Sequence, residues 1–158
     1  MREYFDKELT QLNDSLIEMG GLVEQAIKNT MKMIVDAKIC LISQENTKIV
    51  LTRRKNPFKA DVCTFFLHQA PVAHDLRYVS AALKMITDLE RIGDQAVDIA
   101  EMSVYIKDKK QVFNLTHILE MADNASKMVT EAIDAFVKSD IGVAKKVARQ
   151  DDIVDELF

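Results

Sequence analysis

Tryptophan is absent from the 158 residues, glycine occurs four times and proline twice. A sheet-rich fold needs more turn residues than that, so the composition favours an all-α chain. The two cysteines, Cys40 and Cys63, form no Cys-x-x-Cys pair, and the three histidines, His68, His74 and His117, are scattered. Neither a zinc site nor a disulfide framework is indicated, and the thiols read as reduced. No Glu-x-x-His pair stands in the chain, which removes the signature of di-iron bundles and disfavours catalytic iron. A Gly-rich phosphate loop, a Ser-His-Asp order and a Cys-His pairing are all missing. These absences point to binding and not to an enzyme.

Basic excess is missing too. A formal charge of -4 argues against a nucleic-acid partner, which would call for a basic surface. The opening MREYFDKEL lacks the apolar core of an export signal, so a cytoplasmic location is expected. No run of roughly 18 apolar residues occurs, so any membrane association is expected to go through a partner.

What is present is periodicity. Hydrophobic residues make up 48% of the chain, enough to build a core in one ordinary domain. Phe5, Leu9, Leu12, Leu16, Met19, Val23, Ala26 and Met33, with Thr30 in the series, alternate spacings of four and three. That seam predicts one long helix packed at a shallow angle on its neighbours. Gly20 and Gly21 sit inside it at a propensity cost of about 1 kcal/mol each, which close helix approach would explain.

A second long helix is expected from just after Pro71 to about Asp108, with Leu76, Val79, Leu83, Ile86, Glu90, Gly93, Val97 and Ala100 as its seam. A third uses Leu115, Ile118, Ala122, Ala125, Val129, Ala132 and Phe136, with Asn114 or Thr116 as N-cap. Ser139 to Gly142 reads as a turn before a fourth helix that starts near Ile141. Laying residue 19 on residue 121 pairs Met19 with Met121, Ile27 with Val129 and Ile34 with Phe136, a repeat of about 100 residues. The stretch from Ile39 to His68 has no sustained seam, and Lys48, Arg53, Arg54, Lys55 and Lys59 arrive there without an acid between Asn46 and Ala60.

Glu90, Asp94 and Asp98 recur every four residues, about 6 Å apart in rise on a helix, and their charges repel. Asp151 and Asp155, with Asp152 between them, repeat the spacing. One reading is a solvated acidic face answered by Lys84, Arg91 or a neighbouring helix. The other is metal binding, since clustered carboxylates suit hard ions such as magnesium, manganese or iron. The methionines read as core filler.

The stretch QAPVAHDLRYVSAALKMITDLERIGDQAVDIAE, Gln69 to Glu101, resembles the central signature of the PhoU family of phosphate-signalling regulators. FDKEL, Met19-Gly20 and LVEQAI resemble that family's N-terminus, and DDIVDEL, Asp151 to Leu157, resembles its second repeat. The resemblance covers residues 1–37 and 69–158. It implies tandem three-helix bundles, with 1–108 as the first repeat and 109–158 as part of the second, whose last helix would lie beyond Phe158. It also implies metal at the acidic motifs Glu90-xxx-Asp94, extended by Asp98, and Asp151-xxx-Asp155. Iron, manganese, magnesium and zinc are the candidate ions. The implied role is a cytoplasmic negative regulator, a homodimer that links the ATPase subunit of a phosphate ABC transporter to a membrane sensor histidine kinase.

Residues 39–66 depart from the family pattern. Where the family carries an acidic motif near 49–53, this chain has Ile49 to Arg53, as a shifted reading frame or a replacement would leave. The alternatives of another class are a helical-bundle metal-handling protein, storage or oxidase-like, and a bare helical interaction module.

Overall fold

A computed structural model describes residues 2–35, 73–105 and 115–158, and the part that departs from the family pattern, 39–66, lies outside the described residues. Among the described residues there are four helices and no strand: α1 (Arg2–Val35), α2 (Ala73–Val104), α3 (Leu115–Val137) and α4 (Ile141–Leu157).

The α1 seam turns inward as its spacing predicts. Leu12, Leu16, Met19, Val23, Ala26, Thr30 and Met33 are buried. Each fully buried aliphatic side chain contributes roughly 1.5–3 kcal/mol against exposure, so this one stripe dominates the described core. From α2 it meets Val79, Ala82, Ile86, Leu89 and Ala96, and from α3 Ile133.

Two buried or half-buried hydrogen bonds fix how α1 and α2 lie. Tyr78 donates its hydroxyl to Asn13 Oδ1 at 2.7 Å, and Thr30 donates to the Ala96 carbonyl at 2.8 Å. The partners are 65 and 66 residues apart, so the two helices run parallel. Burial pushes the Tyr78 phenol above its ordinary value of 10.0, with the bond to Asn13 pulling the other way. Its ring stacks on Phe136 of α3 with centroids 4.5 Å apart.

α3 runs the opposite way along α1, as shown by Gly20 packing at Ile133 and Glu24 accepting from Thr130. The two glycines of α1 then separate. A Cβ on buried Gly20 would overlap Ile133 Cδ1, so close approach explains that position. Gly21 is exposed with nothing within 4 Å of a built Cβ, and close approach does not explain it.

The turn into α4 is tight. Asp140 N–H reaches back to the Ala135 carbonyl and Ser139 N–H to that of Phe136, with Ser139 at φ 53 in the left-handed position that usually takes glycine. Asp140 then caps α4, its carboxylate accepting from Val143 N–H at 3.0 Å. Gly142 therefore belongs to the helix and not to the turn. Thr116 likewise lies inside α3, so it is not the cap, and Asn114 lies outside the described residues. α3 and α4 form an antiparallel hairpin tied by Lys146 to the Glu131 carboxylate at 3.0 and 3.2 Å.

Candidate functional site

α2 carries its carboxylates on a line that leaves the core as it climbs. Its buried side is set by Val79, Ala82, Ile86, Leu89, Ala96, Val97 and Ala100, so Glu90 sits beside that side and not within it. Glu90 and Asp94 are half-buried and Asp98 is exposed. Four residues are slightly more than one turn, so a stripe at that spacing drifts around the helix and ends in water.

The two cations expected to answer this stripe turn elsewhere. Lys84 donates to Asp88 Oδ1 at 2.6 Å, and Arg91 lies 3.9 Å from the same oxygen. The sequence signal for this was present in the opposite charges of Lys84, Asp88 and Arg91 at spacings of four and three. Glu90 and Asp94 have interactions of their own and are not free.

Asp151 and Asp155 are exposed on α4, as is Asp152. α2 packs on α1, α1 on α3, and α3 on α4. The two acidic stripes thus ride on the two helices at the ends of this packing order. Hard carboxylate oxygens at one-turn spacing have the right chemistry for a divalent cation. Among the described residues, however, no three side chains of His, Cys, Asp or Glu gather where they could hold one.

A different feature gathers residues from all four helices. Near the carboxyl ends of α1, α2 and α4 an apolar cavity of about 390 Å³ is lined by Met31, Ile92, Ala96, Met121, Ala125 and Val154, among others. Thr30, its buried hydroxyl, is already spent on Ala96.

The parallel α1–α2 pair and the antiparallel α3 set a helical frame that can be compared with known proteins. The family model described as PhoU domain matches residues 16–103 and 118–158. The chain belongs to the PhoU family. The matched range runs through positions 39–66. A relative from Clostridium acetobutylicum, named phosphate-specific transport system accessory protein PhoU homolog, is 29% identical across 99% of this chain and 73% of its own length. One of the same name from Zymomonas mobilis is 31% identical across 98% of this chain and 65% of its own. The crystal structure of PhoU from Pseudomonas aeruginosa superposes with a TM-score of 0.87 at 27% identity, covering 97% of this chain and 74% of that one. The chain thus spans between about two thirds and three quarters of these PhoU relatives, and its helices are arranged as in a solved PhoU. None of the described helices is long and apolar enough to cross a membrane.

Proposed function

We propose that this chain is an accessory regulator of phosphate transport that works by binding proteins and performs no turnover. One observation carries the reading: the family match over residues 16–103 and 118–158, shared with relatives named as accessory proteins of a phosphate-specific transport system. The helical frame supports it by offering long faces for protein partners.

The finer reading places the protein in the cytoplasm as a negative regulator, between the ATPase subunit of a phosphate ABC transporter and a sensor histidine kinase. Residues 1–108 and 109–158 act as two related repeats, with α1 and α3 as equivalent helices packed antiparallel. A metal ion, whether iron, manganese, magnesium or zinc, belongs to the same reading. Glu90 and Asp94, extended by Asp98, and Asp151 with Asp155 would each supply hard oxygens to it, with further donors completing the sphere. A homodimer is the expected assembly.

Purified chain captured on the immobilised ATPase subunit tests the reading. Retention by that subunit, and loss of bound metal with retained helicity after Glu90→Ala and Asp94→Ala, is the expected result. Absence of any retention at micromolar concentration would remove the regulator. Metal content unchanged by both substitutions would remove these residues as ligands.

A further inference from the structure

The register that lays residue 19 on residue 121 also lays Leu16, Gly20, Val23, Ile27, Thr30 and Ile34 of α1 on Ile118, Ala122, Ala125, Val129, Ala132 and Phe136 of α3. All six residues of α1 are buried, whereas each of their counterparts on α3 is half-buried. The α3 line is wholly apolar, so its chemistry does not explain the difference. Cover does. α1 has α2 packed on it as well as α3, while among the described residues α3 packs chiefly on α1 and α4. The position that α2 holds over α1 thus has no described counterpart over α3.

The vacant position is open and shaped. The apolar cavity of about 390 Å³ lies on this line, over Ile118, Ala122 and Ala125, with Ile92 and Ile99 contributed by α2 and Val154 by α4. Ile99 is 41% exposed and Val154 half-buried, so the walls lack cover as the floor does. An apolar cavity of about 150 Å³ holds one benzene, so the alanine floor leaves room for two or three side chains of that size. From Ile118 to Phe136 the line runs for about 27 Å at 1.5 Å per residue, or five helical turns. A continuous apolar groove of that length is a recognition surface and not a scatter of exposed residues.

We propose that this groove is a seat for one amphipathic helix delivered by a separate polypeptide, which lies on α3 as α2 lies on α1. Docking of a helix in a groove needs apolar anchors at spacings of three and four along one face. α2 shows the pattern that fits, since its Val79, Ile86 and Val97 are buried on that principle. α2 runs parallel to α1, so the docked helix runs parallel to α3, with its largest anchors over Ala122 and Ala125. The seat is preformed, because four helices build it without the occupant. The chain covers 73% of the Clostridium acetobutylicum relative, which leaves about a quarter of that relative outside the match, enough for a helix as long as the 32 residues of α2. The proposal assigns that remainder to the seat. It rests on the two-repeat reading of the chain and not on any role in phosphate transport.

The test adds to the full chain, as a separate peptide, the part of the Clostridium acetobutylicum relative that follows its match. Calorimetric titration should give one peptide per chain, and circular dichroism should show more helix in the mixture than in the two components apart. Ala122→Arg and Ala125→Glu each set a charge in the floor, and should weaken binding about tenfold or more while the free chain keeps its helicity. Ile99→Asp, at a more exposed wall position, is the gentler change and should weaken it several-fold. Lys127→Ala, on the exposed side of α3, should leave it unchanged. Absence of binding at about 0.1 mM peptide, well above a micromolar Kd, would overturn the proposal. Binding without a gain of helix, or binding indifferent to the floor substitutions, would do the same. So would self-association of the chain alone that those substitutions abolish, since a second copy would then hold the groove. Every readout uses chain and peptide alone, so the result is separate from capture by the ATPase subunit.

Discussion

Gly20 and Gly21 are neighbours in one helix, yet alanine should act oppositely at the two. Glycine in a helix interior costs about 1 kcal/mol relative to alanine, so the local gain is the same at both. At Gly21 nothing lies within 4 Å of the new Cβ, and the whole gain should appear. For a chain of this size that raises Tm by about 2–4 °C. At Gly20 the new Cβ overlaps Ile133 Cδ1 and lies 3.7 Å from Cγ1. Ile133 is only 4% exposed, so its end must move into packed surroundings. Overpacking of that kind costs about 1–3 kcal/mol, which exceeds or cancels the helix gain. Gly20→Ala should therefore lower stability by about 1 kcal/mol. The control is Ile133→Val, which deletes the offending Cδ1 and alone costs about 0.5–1.5 kcal/mol. In the Gly20→Ala background it should cost nothing or stabilise, giving a coupling of about 1 kcal/mol or more. Urea and thermal unfolding of the four species measure the cycle. If Gly20→Ala stabilises as much as Gly21→Ala and the cycle is additive, the close α1–α3 contact is refuted.

Two further perturbations test the turn and the buried phenol. Asp140→Ala removes the acceptor of the Val143 N–H and should cost about 1 kcal/mol, with faster amide exchange in the first turn of α4, whereas Asp140→Ser should restore most of it. Equal exchange in wild type and Asp140→Ala would show that the cap contributes nothing. Tyr78 holds its proton more tightly in the folded chain than in the unfolded one, because burial disfavours the phenolate. Its contribution to stability is thus present in full below the unfolded value near 10 and is lost as pH rises through the higher folded value. A tyrosinate absorbance titration of the native chain minus that of Tyr78→Phe should centre above 10.0, and a difference curve centred at or below it contradicts the buried hydroxyl.

The α1 helix was legible almost residue by residue, because its apolar seam is flanked by helices on both sides and the seam positions from Leu9 to Met33 find a cover. α2 was legible as a helix, and Val79, Ile86, Gly93, Val97 and Ala100 of its expected seam are buried, but the inner face is centred to one side of that seam. The even three-four count ran through Leu76, Leu83 and Glu90, whereas Leu76 is exposed, Leu83 and Glu90 are half-buried, and Ala82, Leu89 and Ala96 form the inner line. Several lines of apolar residues were available on this helix, and only the partner helix chooses among them. α3 shows the same limit more sharply. Leu115, Ile118, Ala122, Ala125, Val129, Ala132 and Phe136 make a regular seam, yet each is half-buried, while Ser126, Ile133 and Ala135 are the buried residues. Periodicity reports that a stripe exists; the side that faces α1 is set by the antiparallel packing against Gly20.

The acidic residues follow from the same distinction between what one helix encodes and what two helices build. Spacings of four put Glu90, Asp94 and Asp98 on one line and Asp151 and Asp155 on another, and both lines were readable from the sequence. Whether lines meet depends on which helices adjoin, and among the described residues α2 packs chiefly on α1 and α4 on α3. In the register that lays residue 19 on residue 121, Asp151 and Asp155 are the counterparts of Ile49 and Arg53. In that register Glu90 and Asp94 are not the counterparts of Asp151 and Asp155, so the two acidic motifs are not copies of one another. Within the first repeat the positions matching Asp151 and Asp155 carry an aliphatic side chain and a guanidinium, neither of which donates oxygen to a metal.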